Sequence, residues 1–548
     1  MTIQTWQEKA HTKQTTALSK IPPEWRLPPS IQSLLTSNPS LNCLDIPAKS
    51  NLLTPRELEI TNTEDATALL TKISNREYTS AEVTTAFSKR AAIAQQLTNC
   101  LTEIFFDEAL TRAKQLDEYL ATTGKTIGPL HGLPISLKDS FNVAGIPSTL
   151  GFVSFLDKPV PTSNSALVDI LLAAGAVVYV KTNIPQTLMT AESHNNIFGR
   201  VLNPHRINLA AGGSSGGEGA LVALRGSLLG VGTDIGGSIR IPALCCGVFG
   251  FKPSGGRVPY AGQTSAARPG LTGIAPVAGP LCHSVRDADL FFKVIADSHP
   301  ENVDDQVLGL PWSSPIEPKE SLTIGLLPED PTRPYHPSIL RTISTAVEKL
   351  TAAGHKIIDL SGKCPSMKEF SDIAMHFFQM DPDRTPLGHL AASDEPWVPS
   401  LKYTYNPNGT DPEPTLRQLY DLNVQKTDAS ATIRKVFLNN ELDVILGPGH
   451  QTCAPVHDTF GLPIYTMLAN LVDYPACIIP FGTADEVADA GFVRDVGYVP
   501  ECMSSTCFAY TPKDVEGAPC HIQLIGRRLK DELLMQHTQV IEGVLKGK

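Results

Sequence analysis

The chain has 548 residues and a formal net charge of −11 at neutral pH. Hydrophobic residues make up 42% of the sequence and charged residues 18%, a composition typical of a globular protein with a large core. The acidic balance argues against nucleic acid or an anionic lipid surface as the main partner, because binding to phosphate groups requires a basic face.

The sequence gives no indication of export or membrane insertion. The N-terminal segment is polar and lacks the apolar stretch of a signal peptide. The most apolar stretch, residues 166–180, contains Asp169 and Gly175 and predicts a helix, a turn and a buried strand rather than a membrane span. The eleven cysteines are scattered without a CxxC pair, so we expect reduced thiols, a buried Cys245–Cys246 pair and a cytoplasmic protein.

The first 60 residues are polar and broken by prolines, and they predict an arm of short helices that lies on a main domain formed by residues 61–548. The motif TSAE then fits a capping box, with Thr79 as the N-cap and Glu82 reaching back to it, so a helix is expected to about residue 94. Further along the chain, helical patterns lie near residues 107–121, 164–174, 216–226, 337–353, 413–439 and 529–545, and apolar strands near residues 133–138, 177–182, 321–330, 355–360, 443–448 and 476–482.

Apolar strands that alternate with helices predict an α/β fold, with a central mixed or largely parallel sheet flanked by helices. The sequence shows no internal repeat. Residues 364–412 are rich in proline and aspartate and carry no clear periodicity, so we expect an irregular loop or a lid over a substrate site.

The stretch GGSSGGEG at residues 212–219 admits several interpretations from its residue types alone. A glycine–serine linker would separate two domains, but the α/β pattern continues on both sides. A phosphate-binding P-loop requires a lysine that is absent here, and the second glycine-rich passage, residues 230–243, misses GxGxxG by one residue. A GxSxG nucleophile elbow would centre on Ser214 or Ser215 and would need a histidine partner that the sequence does not identify.

A fourth interpretation joins three segments, SLKD with Lys138, GGSSGGEG with Ser214 and GTDIGGSIR with Ser238. Together with Lys138, the segment at residues 212–254 closely resembles the hallmark of the amidase signature family, serine hydrolases with a Ser–Ser–Lys triad. The resemblance covers most of the chain.

The core of the resemblance spans about residues 128–260, and it implies the amidase signature fold with an N-terminal helical arm. The arm and the segment at residues 523–535 are most similar to fungal acetamidases and general amidases. The signature also resembles that of mammalian fatty acid amide hydrolase, but the membrane span of that enzyme is absent from this sequence.

The resemblance assigns roles to the three residues: Ser238 attacks the carbonyl carbon, Ser214 relays the proton and Lys138 is the base. It also implies a cis peptide bond between Gly213 and Ser214. It places the oxyanion donors at the backbone N–H groups of Ile235, Gly236, Gly237 and Ser238, and consecutive glycines allow such groups to converge on one point.

Neighbouring residues are expected to support this machinery. Leu188 is expected to line the acyl pocket beside Ser214, although an ordinary core leucine fits the sequence equally well. Four residues are expected to hold the two serine loops in shape: Ser215, Thr233, Asp234 and Arg240.

A lysine can act as a base only if its pKa is lowered. Its reference pKa is about 10.4, and lowering it to about 7 disfavours the charged form by about 4.6 kcal/mol. Lys138 ends an apolar strand, LPISL, and burial can supply a shift of that size. For an isolated lysine, pairing with Asp139 or reaching to solvent would be the ordinary interpretation; the two serine motifs favour the base.

The implied function is hydrolysis of a carboxylic amide to an acid and ammonia or an amine, through an acyl-enzyme on Ser238 and without a metal or organic cofactor. Small aliphatic primary amides such as acetamide are the expected substrates. Fatty acid or N-acyl metabolite amides, a glutaminase subunit of a transamidation complex and a non-catalytic scaffold are the alternatives. A small-molecule amide is the expected partner, with no nucleic acid and no membrane span, and a homodimer is left open.

Overall fold

The computed structural model describes residues 4–313, 319–406, 412–496 and 510–547. The strands in these ranges form one mixed sheet of eleven strands and a separate two-stranded sheet of β4 and β5. The strands are β1 (Leu101–Ile104), β2 (Pro134–Lys138), β3 (Val177–Thr182), β4 (His194–Asn195), β5 (Gly199–Arg200), β6 (Leu229–Asp234), β7 (Phe249–Lys252), β8 (Val277–Cys282), β9 (Thr323–Leu326), β10 (Lys356–Asp359), β11 (Val444–Gly447), β12 (Ala476–Thr483) and β13 (Pro519–Ile525).

The order of the large sheet, β1-β3-β2-β6-β8-β7-β12-β13-β11-β9-β10, brings two functionally important strands together. Strand β2 lies between β3 and β6 and is parallel to both, with Ser136 opposite Gly230. Strand β6 pairs antiparallel with β8 on its other side. Because β2 and β6 are parallel neighbours, their carboxyl ends meet at one edge of the sheet. That edge holds Lys138 and the loop that follows Asp234.

Helices flank the sheet, which confirms the predicted class of a mixed sheet covered by helices on both faces. The first half contains α1 (Trp6–Ser19), α2 (Pro29–Ser37), α3 (Ile46–Lys49), α4 (Pro55–Thr61), α5 (Ala66–Ser74), α6 (Ser80–Thr98), α7 (Phe106–Thr123), α8 (Ala166–Ala173), α9 (Gly216–Ala223) and α10 (Arg240–Cys246). The second half contains α11 (Val285–Asp297), α12 (Pro337–Ala352), α13 (Met367–Phe378), α14 (Thr385–Ala391), α15 (Leu416–Asn439), α16 (Ile464–Leu471), α17 (Glu486–Asp489), α18 (Pro512–Val515) and α19 (Asp531–Lys546).

The N-terminal arm is helical, as predicted, with α1 to α4 joined by short connections. Its apolar residues Ile21, Leu27 and Ile60 are buried in the same hydrophobic core as the sheet. Lys13 of α1 forms an ion pair with Glu103 of β1. The division of the chain at residue 60 stays a prediction. Among the residues described, no helix has the length and apolar character needed to cross a membrane.

The predicted capping box is confirmed, since Thr79 accepts from the backbone N–H of Glu82 and the Glu82 side chain accepts from that of Thr79. The apolar strands predicted near residues 133–138, 177–182, 321–330, 355–360, 443–448 and 476–482 all exist within one or two residues, with β9 shorter than its segment. Sequence analysis missed seven strands, β1, β4, β5, β6, β7, β8 and β13, and, outside residues 364–412, the helices α5, α10, α11, α16, α17 and α18.

The expectation of an irregular loop at residues 364–412 is wrong for much of that segment, which contains α13 and α14. Helix α13 has an apolar face with helical spacing that the surrounding prolines and aspartates obscured. Its buried residues include Met367, Phe370, Ala374, Met375 and Phe377. Residues 407–411 of the segment lie outside the described ranges.

Helix α9 packs against the backbone of its neighbours at Gly217. A Cβ atom at this position would overlap the backbone N of Asn183 and the backbone O of Cys100. Since both contacts are backbone atoms, no side-chain rearrangement can relieve them. The glycines of GGSSGGEG therefore allow close packing, since a Cβ atom at any of the five would lie within 3.0 Å of a neighbouring atom.

We predict that Gly217→Ala lowers the free energy of unfolding by about 1–3 kcal/mol or more through overpacking. The matched control is Gly543→Ala in α19, where a Cβ atom has no neighbour within 4 Å. That substitution is expected to raise stability by about 0.5–1 kcal/mol, because alanine is the better helix former. The midpoints of urea denaturation measure both; equal midpoints for the two variants would contradict the packing interpretation.

Candidate active site

Lys138 ends β2 with its side chain fully buried. Its Nζ lies 2.7 Å from Ser214 Oγ and 2.8 Å from Thr233 Oγ1, within hydrogen-bond distance of both. Burial lowers the pKa of Lys138 to about 7, although the negative charges of Asp234 and Glu218 act to raise it. At neutral pH a substantial fraction of this amine is therefore neutral and can accept a proton.

Glu218, in the first turn of α9, is a site residue that sequence analysis missed. Its carboxyl accepts hydrogen bonds from Ser136 Oγ at 2.6 Å and Thr182 Oγ1 at 2.9 Å. Burial raises the pKa of Glu218 to about 8, so at neutral pH it is mostly protonated and uncharged. Lys138 therefore lacks a full counter-charge on this side. The only signal in the sequence was an acidic residue at the start of a glycine-rich helix.

The loop before α9 brings Ser214 to Lys138. The peptide bond between Gly213 and Ser214 is cis, as the resemblance implied. The backbone N–H of Ser215 donates to the backbone O of Ser238 at 3.2 Å, which ties the two serine segments together. Among the described residues, no hydrogen bond joins the hydroxyl groups of Ser214 and Ser238, although both serines line one cavity.

Ser215 and Thr233 hold the strand end in place beside the lysine. Ser215 Oγ accepts from the backbone N–H of Thr233 at 3.3 Å, while Thr233 Oγ1 contacts Lys138 Nζ. Thr233 therefore contacts Lys138 directly, and Ser215 contacts Thr233.

Asp234 and Arg240 form a buried ion pair that shapes the loop between β6 and α10. The Asp234 carboxylate accepts from Arg240 Nε at 3.0 Å and from the backbone N–H groups of Gly237 at 2.7 Å and Ile239 at 3.2 Å. Although burial acts to raise it, the charge of Arg240 holds the pKa of Asp234 well below its ordinary value. Arg240 also donates to Thr466 O, Gln523 Oε1 and Asn470 Oδ1.

The backbone N–H groups of the loop at residues 235–239 differ in whether they already have a hydrogen-bond acceptor. In the part of the chain described, the N–H groups of Ile235, Gly236 and Ser238 make no hydrogen bond, and all three residues line the cavity. The N–H of Gly237 donates instead to the Asp234 carboxylate. Because that donor is already used, Gly237 is not presented as the fourth predicted oxyanion donor.

The cavity has two compartments that meet at Ser238. The wide compartment has a volume of about 1620 Å³ and is lined by Ser214 and Thr233 among others. The narrow compartment has a volume of about 50 Å³ and is lined by Ile235 and Gly236, but not by Ser214 or Thr233.

Besides Ser238, seven residues stand at the boundary, because they line both compartments: Leu188, Met189, Ile235, Met375, Phe378, Tyr403 and Thr404. Leu188 is the residue that the sequence predicted for the pocket. Sequence analysis did not identify Met375 and Phe378 of α13, or Tyr403 and Thr404 after it, as pocket residues. Within the described ranges, no group of three or more histidine, cysteine, aspartate or glutamate residues is arranged to hold a metal ion.

The chain is similar to known proteins over nearly its full length. A family model described as Amidase matches residues 82–535. An amidase from Gibberella moniliformis is 41% identical over 544 residues, which is 99% of each chain, and an acetamidase from Emericella nidulans is 39% identical over 543 residues, 96% of each chain. A solved structure of fatty acid amide hydrolase superposes with a TM-score of 0.90 at 33% identity, covering 98% of this chain and 94% of that one.

We predict that Arg240→Met lowers the free energy of unfolding by about 3–5 kcal/mol, because it leaves the Asp234 carboxylate buried without its partner. The double variant Asp234→Asn with Arg240→Met removes the unpaired charge and is expected to regain part of this loss. Chemical denaturation of the three proteins measures the effect. If the single and double variants are equally unstable, the buried charge is not its cause.

Proposed function

The chain belongs to the amidase family, and we propose that it hydrolyses small aliphatic primary amides such as acetamide through an acyl-enzyme on Ser238. The observation that carries this proposal is the contact of 2.7 Å between Lys138 Nζ and Ser214 Oγ, with both residues buried. A serine hydroxyl becomes an effective nucleophile only when a base takes its proton, and this contact supports such a path.

In the first half of the reaction, Ser238 Oγ bonds to the carbonyl carbon and its proton passes through Ser214 to neutral Lys138. The bond from carbon to nitrogen then breaks, and the departing nitrogen takes a proton delivered back through Ser214. In the second half, water attacks the ester carbon, loses a proton along the same path and releases the acid. Ser238 regains its hydrogen, so no proton is gained or lost over the cycle.

The negative charge that develops on the carbonyl oxygen needs donors that are already in place. In this proposal the N–H groups of Ile235, Gly236 and Ser238 supply them, since these three residues line the cavity and their N–H groups have no other hydrogen-bond acceptor in the described part of the chain. The bond from Gly237 to Asp234 holds the loop in the conformation that presents these three groups. In this proposal Asp234 and Arg240 act on the loop and not on the substrate.

The protonation state of Lys138 determines the fraction of enzyme molecules in which the amine can accept a proton. An ordinary lysine, with a pKa of about 10.4, is neutral in about one molecule in 2,500 at pH 7. With its pKa lowered to about 7, Lys138 is neutral in about half of the molecules at that pH. Lys138 is therefore both within hydrogen-bond distance of Ser214 and, in about half of the molecules at pH 7, in the neutral form that the reaction requires.

Acetamide as a substrate is supported by two observations. The relative from Emericella nidulans carries the name acetamidase. The narrow compartment beside the oxyanion donors, about 50 Å³, fits a short acyl group. We also propose a cytoplasmic location, supported by free thiols at all nine cysteines in the described ranges, while a homodimer stays a prediction.

We predict that Ser238→Ala and Lys138→Ala each lower kcat/KM for acetamide by at least about 10³-fold, because each removes a member of a unit that acts together. Release of ammonia measures the rate. Ser33→Ala, on an exposed face of α2, is the matched control and is expected to keep full activity. Near-normal turnover in a correctly folded Ser238→Ala protein would refute the assignment.

We predict that kcat/KM for acetamide rises with pH through about 7 and then levels off, since the base is active only when Lys138 is neutral. Glu218→Gln is expected to leave the midpoint near pH 7, because burial already keeps most Glu218 carboxyl groups uncharged at that pH. Initial rates at fixed ionic strength between pH 5.5 and 9.5 test both. A rate that stays low through pH 8 and is still rising at pH 9.5 would contradict the role of Lys138.

A further inference from the structure

The two compartments of the cavity differ in which catalytic groups they contain. The wide compartment is lined by Ser214 and Thr233, which contact Lys138, whereas the narrow compartment contains neither. Ser238 lines both compartments, so a carbonyl carbon bonded to its Oγ lies at their junction. The two substituents of that carbon, the acyl chain and the amine nitrogen, must therefore point in different directions.

The direction of each substituent follows from the proton path, and this step rests on the proposed function. The departing nitrogen takes its proton from Ser214, so it must face the compartment that Ser214 lines. The acyl chain, on the opposite side of the carbonyl carbon, then enters the narrow compartment beside Ile235 and Gly236.

The narrow compartment limits the length of the acyl chain. A water molecule occupies about 10–15 Å³, so a volume of 50 Å³ holds about three to five water molecules and fewer methyl or methylene groups, which are larger. Its wall lies directly against the oxyanion loop, because a Cβ atom at Gly236 would be 3.0 Å from Met467 Cε. Met467 is itself buried in α16, and Phe378 of α13 completes the wall.

The wide compartment imposes no comparable limit on the amine. Its volume of about 1620 Å³ exceeds the 300–1,000 Å³ of a usual ligand pocket. Beyond Ser214 and Thr233, its lining includes Tyr260, Gln263 and Thr264, side chains that combine apolar surface with hydrogen-bonding groups.

We propose that the substrates of this enzyme include N-substituted amides of short carboxylic acids, with the short acyl group in the narrow compartment and a bulky amine in the wide one. The residues that set this preference are Met467, which lines the narrow compartment and not the wide one, and Phe378, which stands at the boundary between the two. The enzyme therefore discriminates by acyl length and tolerates a large group on nitrogen.

Two isomeric amides test this proposal. N-pentylacetamide and N-methylhexanamide have the same atoms and the same class of amide bond, but they carry the five-carbon chain on opposite sides of the carbonyl group. Purified full-length enzyme is assayed with each isomer and with acetamide. We expect kcat/KM to be at least about tenfold higher for N-pentylacetamide, as one misplaced methylene alone costs about tenfold or more in a closed pocket.

The outcomes separate this proposal from the proposed function. If acetamide is hydrolysed but the two isomers react equally, or N-methylhexanamide reacts faster, the assignment of compartments is overturned and the amidase function stands. If acetamide reacts and neither isomer does, the tolerance for N-substituents is overturned. If none of the three is hydrolysed by folded enzyme, the proposed function fails and this inference fails with it.

Enlarging the narrow compartment tests the two wall residues. Met467→Ala is expected to raise kcat/KM for N-methylhexanamide at least about tenfold relative to N-pentylacetamide. Met535→Ala in α19 is the matched control, a buried methionine that lines neither compartment, and it should leave the ratio unchanged. Phe378→Ala, at a partly exposed position, provides a second variant if Met467→Ala does not fold. An unchanged ratio in a folded wall variant would overturn the role of the wall.

Discussion

An amine that is shielded from water is the feature on which the rest of this site depends. Lys138 ends a strand in the interior of the sheet, between two parallel neighbours, and its side chain is fully buried. Removing a charged ammonium from water is costly, so the neutral form becomes accessible at neutral pH. Two hydroxyl groups, those of Ser214 and Thr233, satisfy its hydrogen bonds without adding a charge. The position in the fold thus determines the chemistry of the side chain.

Two buried carboxyl groups near Lys138, those of Asp234 and Glu218, act to raise its pKa again. The structure weakens the influence of each one differently. Asp234 remains ionised, but its charge is compensated by Arg240 and by backbone N–H groups of the loop that follows. Burial raises the pKa of Glu218, and the hydrogen bonds that it accepts from Ser136 and Thr182, which act to lower that pKa, do not outweigh the burial. The same ion pair that compensates Asp234 shapes the loop at residues 235–239. The proposed base and the proposed oxyanion donors therefore depend on one network of buried polar groups.

Much of the fold could be predicted where strands are apolar, as in β2 and β3, and where helices carry capping signals, as at Thr79. Strand β6 was missed because glycines interrupt its apolar pattern. One of them, Gly232, packs against the serine loop, and a Cβ atom there would lie 2.8 Å from Ser215 Oγ. The three residues of the proposed triad were identified through the resemblance to a family. Three features were not predicted: the role of Glu218, the hydrogen bond from Gly237 to Asp234 and the wall of the narrow compartment. Each depends on how the folded chain packs, which a local sequence pattern does not show.

The most direct test of the role of Lys138 is the titration of its own amine. Lysine labelled with carbon-13 at the ε position gives a pH-sensitive NMR signal for each lysine, and the signal lost in Lys138→Arg identifies this one. A midpoint near pH 7 is predicted for Lys138, as burial requires. A midpoint near the ordinary lysine value of about 10.4 would contradict it, because the base would then be charged whenever the enzyme has to work.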